Sequence, residues 1–204
     1  MSDADLRQAL HEAVGDSSLP HVRRMSLAAA IVSTALERAG MEATLVGGSA
    51  IEFYVTGSYT TADIDFIVER ATREKLAEVF AALGMQRKDR HWYVGDLYFE
   101  VPSFRREDPA LTFEVGPFTL RVIAREVVLA ERITGFKYWK YWGYGLQAVD
   151  MIRTFRHLID EEALRNWLKR EQAEDAYDLL CDVADSGREL TEREMGEIWQ
   201  SRFG

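Results

Sequence analysis

The segment LVGGSAIEFYVTGSYTTADIDFIV, residues 45–68, constrains the fold of this chain more than any other stretch. An apolar strand runs into two glycines and a serine, a short helix follows, and a second predicted strand carries two aspartates. Because side chains alternate along a strand, Asp63 and Asp65 should project from one face, about 7 Å apart at Cα, while Ile64 enters the core. The pattern therefore predicts a strand with two carboxylates that point the same way.

Paired carboxylates of this kind indicate a metal site. Two ionised carboxylates held close together repel one another unless a cation lies between them. Hard oxygen ligands without nearby Cys or His favour Mg²⁺ or Mn²⁺ over Zn²⁺. We therefore expect Asp63 and Asp65 to bind a divalent cation, and the alternative is an ordinary pair of solvent-exposed strand acids.

The double glycine predicts a phosphate site beside the metal site. Gly47 and Gly48 let the backbone approach a ligand closely, and the N–H groups at the start of the helix predicted over Ser49–Val55 attract anions. Ser49 is expected to be the helix N-cap and a hydroxyl donor to phosphate. The simpler alternative is that the glycines form only a turn.

Length and periodicity predict two regions in this chain of 204 residues, 47% of them hydrophobic. Residues 1–123 begin with a polar segment and then alternate helices and strands, which predicts a small mixed β-sheet flanked by helices in an α+β fold. Besides the short helix after the glycines, helices are expected over residues 22–40 and 72–84, closed by Gly40 and Gly84, and a strand is expected over residues 63–68. Residues 124–204 are predicted to form a C-terminal helical region packed on that core. The expected helices lie near residues 125–141, 147–157, 161–169, 172–185 and 191–199.

The distribution of charge and of apolar residues along the sequence gives predictions about partners and location. The net charge is -9, and residues 160–204 hold 13 acidic and 6 basic side chains, a net of -7, which leaves -2 for the rest. These acids are interpreted as solvated helix faces, with a docking face for a basic partner as the alternative. We find no leader and no membrane-spanning stretch in the sequence, so the chain is predicted to be soluble and cytoplasmic, with no membrane partner.

Five stretches resemble a known family. LVGGSA followed by TTADIDFIV resembles the signature of the nucleotidyltransferase superfamily that shares its fold with DNA polymerase β. The stretches YFEVPS, VVLAERITGFKYW and GLQAVDMI resemble the minimal nucleotidyltransferase-like proteins related to abortive-infection toxin enzymes. The resemblance spans roughly residues 43–180 and implies the nucleotidyltransferase fold.

The resemblance also implies roles for particular residues. Asp63, Asp65 and Glu100 would hold the metal ions that bridge the nucleotide phosphates, and Glu100 would help to deprotonate an acceptor hydroxyl. Gly48 and Ser49, next to Gly47, would bind the β- and γ-phosphates. A solvent-exposed strand acid is the alternative for Glu100.

The helix that follows the sheet offers further candidates. Arg132 and Lys137 could meet the triphosphate, or they could be ordinary surface cations. The run FKYWKYWGYG, residues 136–145, could stack a base or contact RNA. The alternative is a core seam on one continuous helix, formed by Tyr138, Tyr141 and Trp142.

Taken with the resemblance, these features predict a metal-dependent enzyme that transfers a nucleoside monophosphate from an NTP to RNA, a protein or a small molecule. One alternative is a catalytically inactive nucleotide-binding or regulatory module on the same fold. Another is a toxin held inactive by an antitoxin or other protein partner.

Overall fold

The structure, a computed structural model, describes residues 2–57, 59–61, 63–103 and 108–204. Ser58 and Ala62 of the glycine–aspartate segment lie outside the described residues. The chain divides into two compact units, residues 1–56 with 60–124 and residues 57–59 with 125–204. The first unit combines a mixed sheet with helices and the second is helical, which confirms the predicted α+β class.

The described part of the first unit contains one seven-stranded sheet in the order β3-β4-β5-β2-β1-β7-β6. Its strands are β1 Glu42–Val46, β2 Asp63–Glu69, β3 Gln86–Lys88, β4 His91–Val94, β5 Leu97–Ser103, β6 Ala110–Val115 and β7 Phe118–Ile123. Strand β1 runs antiparallel to β2 and parallel to β7, and β2 runs parallel to β5. The three remaining pairs, β3 with β4, β4 with β5 and β6 with β7, are antiparallel.

Four helices of the first unit accompany this sheet in the described residues: α1 Asp3–Gly15, α2 His21–Arg38, α3 Gly47–Tyr54 and α4 Arg73–Ala82. The last three match predicted helices. The N-terminal segment, interpreted from the sequence as polar, forms helix α1, which was not predicted. Ser2 and Asp5 form a capping box at the start of α1, and a narrow stripe of Leu6, Leu10 and Val14 is buried.

The second unit consists of α5 Arg125–Trp139, α6 Trp142–Phe155, a 3₁₀ turn Arg156–Leu158, α7 Glu161–Arg170, α8 Glu174–Asp185 and α9 Glu192–Phe203. Each predicted helix is present. The alternative of one continuous helix through the aromatic run is wrong, because Lys140 lies between α5 and α6 in a left-handed backbone conformation with φ of +56°. Tyr138 and Trp142 therefore belong to different helices.

None of the helices in the described ranges combines the length and the apolar character needed to cross a bilayer.

The core of the first unit lies against one face of the sheet. Along β2, Ile64, Phe66 and Val68 are buried, and Phe66 stacks on Phe99 of β5 with 6.5 Å between ring centroids. Helix α2 packs against β1 and β7, while α4 places Phe80 against Trp92 of β4. We call this side of the sheet the core face.

Candidate active site

The opposite side of β2 and β5 carries carboxylates. Asp63 and Asp65 alternate with the buried residues of β2, which confirms the alternation predicted from the sequence. Asp65 lies beside Glu100 of the parallel strand β5, and Asp63 lies beside Tyr98. Neighbouring residues in register share a face of a sheet, so Asp63, Asp65 and Glu100 project from the same side. We call it the acidic face.

The glycine turn is built around Asp65. Gly47 has φ of +63°, a conformation that strongly favours glycine. A Cβ atom at this position would lie 2.7 Å from Asp65 Oδ2, so the Asp65 carboxylate would have to shift to make room for it. Gly47 is therefore favoured by its backbone conformation and by the present position of the Asp65 carboxylate, which lies against the start of α3.

Ser49 joins the turn to the acidic strand. Its side chain is completely buried, and its hydroxyl donates a hydrogen bond to the Val46 carbonyl at 2.8 Å. The same oxygen accepts a bond from the Asp65 backbone N–H at 3.2 Å. The N-cap of α3 is Val46, so the prediction of Ser49 as N-cap is wrong. Ser49 instead positions Asp65, and its contact with phosphate stays a prediction.

Gly47 and Gly48 form the first turn of α3. The first N–H groups of a helix have no partner within the helix and carry the positive end of its dipole. This turn can therefore attract an anion next to the Asp65 carboxylate.

Glu100 is engaged by two basic side chains. Its Oε1 lies 3.3 Å from Arg90 Nε, and its Oε2 lies 3.2 Å from His91 Nε2. Both partners come from the β3–β4 hairpin and its turn. The sequence predicted no role for His91, because its position beside Glu100 depends on the pairing of β4 with β5.

An open cavity of about 330 Å³ lies beside Asp63. Its lining consists of Asp63, Lys88, Asp89, His91 and Tyr98. Lys88 and His91 are register partners across β3 and β4, so they present their side chains together. Lys88 was not predicted from the sequence, because β3 is a three-residue strand with every residue exposed.

A buried acid holds the backbone before β2. Glu52 of α3 is only 3% exposed, and its Oε2 accepts a hydrogen bond from the Thr61 N–H at 2.8 Å. The Thr61 hydroxyl donates to the Asp63 carbonyl at 3.2 Å, and the His21 ring contacts the Thr61 carbonyl at 3.2 Å. These contacts fix where the first aspartate enters the sheet.

Arg132 and Lys137 belong to the second unit. Arg132 is only 5% exposed, and its guanidinium lies 4.2 Å from the centre of the Tyr144 ring. Lys137 Nζ lies 2.6 Å from Asp175 Oδ1 and donates to the Gln172 carbonyl. Both cations have partners inside their own unit, and their contacts with nucleotide stay predictions.

Asp63 and Asp65 are the residues of the acidic face that could hold a divalent cation, and metal binding by them stays a prediction. In the described ranges, no group of three or more His, Cys, Asp or Glu side chains is arranged to hold a metal ion. Mg²⁺ is usually held by one or two carboxylates together with water and substrate phosphates rather than by a complete protein cage. Asp63 and Asp65 supply such a pair, while Glu100 is held by Arg90 and His91.

Comparison with known proteins adds one structural similarity. No protein-family model matches the chain, and no curated protein matches it in sequence. The solution structure of antibiotic-resistance factor ANT(2'')-Ia overlaps with a TM-score of 0.48 and 16% identity, over 72% of this chain and 92% of that chain. An overlap of this size at this identity assigns neither a fold family nor an activity. The chain is therefore described by its own features, an α+β protein with an acidic sheet face beside a glycine turn.

Proposed function

We propose that this chain is a metal-dependent nucleotidyltransferase that moves a nucleoside monophosphate from an NTP to an acceptor. The observation that carries the proposal is the approach of Asp65 to Gly47, where an added Cβ would lie 2.7 Å from the carboxylate oxygen. This approach places a carboxylate of the acidic face directly beside the start of α3, where the helix N–H groups attract anions. A triphosphate with its divalent cation needs both of these features at one place.

In this proposal each part of the site has one task. Asp63 and Asp65 hold Mg²⁺ or Mn²⁺, which when bound neutralises charge on the phosphate oxygens and favours attack at phosphorus. The N–H groups of Gly47 and Gly48 bind the β- and γ-phosphates. The buried Ser49 hydroxyl keeps the Asp65 backbone at a fixed distance from that turn.

The proposed reaction is an in-line displacement at the α-phosphate. A hydroxyl or amine of the acceptor forms the new bond to phosphorus, the bond to the β-phosphate oxygen breaks, and pyrophosphate leaves. Glu100 takes up the acceptor proton, with His91 3.2 Å from its carboxylate. Positioning and charge neutralisation account for most of the rate enhancement in this chemistry.

A nucleotide-binding module without turnover is a second candidate. It is favoured by the engagement of both Glu100 oxygens by Arg90 and His91, which leaves two carboxylates for metal. In this alternative the acidic face binds nucleotide and signals occupancy to a partner. The toxin role, the antitoxin partner and the cytoplasmic location stay predictions.

The transfer proposal is tested with α-labelled NTPs, Mg²⁺ and a cell extract, by following label into RNA, protein and small molecules. We expect label transfer by the wild-type chain and its loss in Asp65→Asn. Glu114→Gln is the matched control, because Glu114 is an exposed strand carboxylate of β6. Transfer that persists in Asp65→Asn would contradict the proposal.

Calorimetry with unlabelled NTP separates the two candidates. Metal-dependent nucleotide binding that Asp63→Asn weakens, together with label transfer, supports the enzyme. Tight nucleotide binding without transfer in any fraction supports the binding module.

A further inference from the structure

A second cavity of the first unit is rich in arginine. It measures about 470 Å³, and its lining includes Arg73, Leu76, Arg87, Asp89, Arg90 and Trp92. We call it the arginine cavity. It combines three guanidinium groups with one indole ring, a composition able to bind phosphate and to stack a flat base.

The pairing of β3 with β4 builds this cavity. Arg87 and Trp92 are register partners, so they lie on the same face of the sheet, and the guanidinium is 5.7 Å from the indole centre. Trp92 also lies beside the buried Phe99, which places the cavity at the edge of the core face. Arg87 Nε donates to the Asp89 carbonyl at 3.1 Å, which restrains the side chain over the ring.

The charge of the arginine cavity contrasts with that of the chain. Three arginines face one aspartate in the lining, although the chain has a net charge of -9. Arg73 lies in the first turn of α4, where the helix dipole favours anions, and no ion pair is found for it within the described residues. Arg90 contacts Glu100 at 3.3 Å, but its side chain is 73% exposed, so the pair is weak.

Cations occupy both faces of the β3–β4 hairpin. Arg87 points toward the arginine cavity, whereas its neighbour Lys88 lines the cavity beside Asp63. Asp89, at the turn, lines both cavities. A single phosphate group cannot contact cations on opposite faces of one strand, but a chain of successive phosphates can pass around the turn.

We propose that the arginine cavity binds the phosphate backbone of a single-stranded nucleic acid that passes the β3–β4 turn. This inference goes beyond the proposed transfer reaction, since binding there needs neither metal nor NTP. Arg73 and Arg87 contact phosphates, and Trp92 with the Arg87 guanidinium offers a surface on which a base stacks.

The test is fluorescence anisotropy of a labelled single-stranded RNA in EDTA and without NTP. The double variant Arg73→Gln/Arg87→Gln should bind roughly tenfold more weakly, and its log–log salt slope should be shallower by about 1.4, because each lost phosphate contact contributes about 0.7. The matched control is Arg170→Gln/Arg193→Gln, which removes the same charge from exposed helix positions. The control should retain wild-type affinity within about twofold.

Several results would overturn this proposal. They are the absence of RNA binding by the wild-type chain, equal losses in the two double variants, or an unchanged salt slope. Displacement of the RNA by inorganic tripolyphosphate as readily as by unlabelled RNA, at equal phosphate concentration, would show a general anion site instead.

Two further variants separate loss of RNA binding from poor folding and from loss of nucleotidyl transfer. The single variant Arg73→Gln changes an exposed side chain and should make the salt slope shallower by about 0.7 even if the double variant folds poorly. Asp65→Asn should bind RNA as the wild-type chain does. A failure of the transfer proposal can therefore be distinguished from a failure of the RNA-binding proposal.

Discussion

The two faces of the sheet in the first unit carry side chains of opposite character, although these side chains alternate along the same strand. Along β2, Ile64 and Phe66 are almost completely buried on the core face, while Asp63 and Asp65 remain partly exposed on the acidic face. Burial of apolar side chains drives folding, whereas grouping carboxylates on one side opposes it. Burial on the core face therefore offsets the repulsion between the carboxylates that are grouped on the acidic face.

The largest stability effect is expected on the core face. Phe66→Ala removes a ring that is fully buried and stacked on Phe99, so it should lower the free energy of unfolding by about 3–5 kcal/mol. Urea denaturation followed by circular dichroism measures this loss. If Phe66→Ala lowered the free energy of unfolding no more than Asp63→Asn does, the core face would not be the more stabilising of the two faces.

The largest functional effect is expected on the acidic face. Asp65→Asn should reduce nucleotidyl transfer about 100- to 1000-fold, because a preorganised charge at the reacting phosphates is removed. Its free energy of unfolding should stay within about 1 kcal/mol of wild type. Transfer rates and denaturation curves on the same preparation check both parts. A comparable loss of stability would mean that the carboxylate holds the fold rather than the ligands.

The glycine turn connects the two faces and allows a matched pair of variants. Gly47→Ala and Gly40→Ala both place alanine at a positive φ, which should cost about 1–2 kcal/mol in each. Only Gly47 also lies against Asp65, while a Cβ at Gly40 would meet no atom within 4 Å. Gly47→Ala should therefore lose transfer about 100-fold as well, through displacement of Asp65.

Thermal unfolding and transfer assays of these two glycine variants give the comparison. Equal transfer by both would show that the close approach of Asp65 has no functional role.

The smallest effect is expected at an ion pair outside the site. Arg24 of α2 donates two hydrogen bonds of 2.9 Å to Asp96, and these bonds hold the pKa of the Asp96 carboxyl below its usual range. A lowered folded-state pKa stabilises the protein above the unfolded value of about 3.9, and this contribution disappears as the pH falls through the folded-state value.

Because the Asp96 side chain is 58% exposed, Asp96→Asn should cost less than about 1 kcal/mol at neutral pH. The difference from wild type should vanish in acid. Denaturation curves at both pH values check the sign, and a difference that grows in acid would contradict it.

The sequence predicted the elements that have strong periodicity. Helix α4 and strand β2 appear close to their predicted limits, because amphipathic spacing and a stop signal such as Gly84 are local properties. Helix α1 was missed because its buried stripe is only one residue wide. Strand β3 was missed because all its residues are exposed, so only pairing with β4 identifies it.

The candidate site was predictable only in part. Alternation along β2 was enough to place Asp63 and Asp65 on one face. The prediction of Ser49 as N-cap failed because its hydroxyl is used by the Val46 carbonyl and by Asp65 across the turn. No local pattern indicates that His91 and Arg90 would meet Glu100, since the three positions come together through strand pairing.

The sequence by itself determined which residues of β2 alternate, where the strongly periodic helices lie, and that two carboxylates share a face, because all of these follow from repeats of two or 3.6 residues. Only the tertiary structure decided which strand lies beside which. The order β4-β5-β2-β1 places Glu100 next to Asp65 and brings the basic hairpin to the edge of the acidic face. Strand order depends on the packing of distant segments, and that information is not contained in any short stretch of the chain.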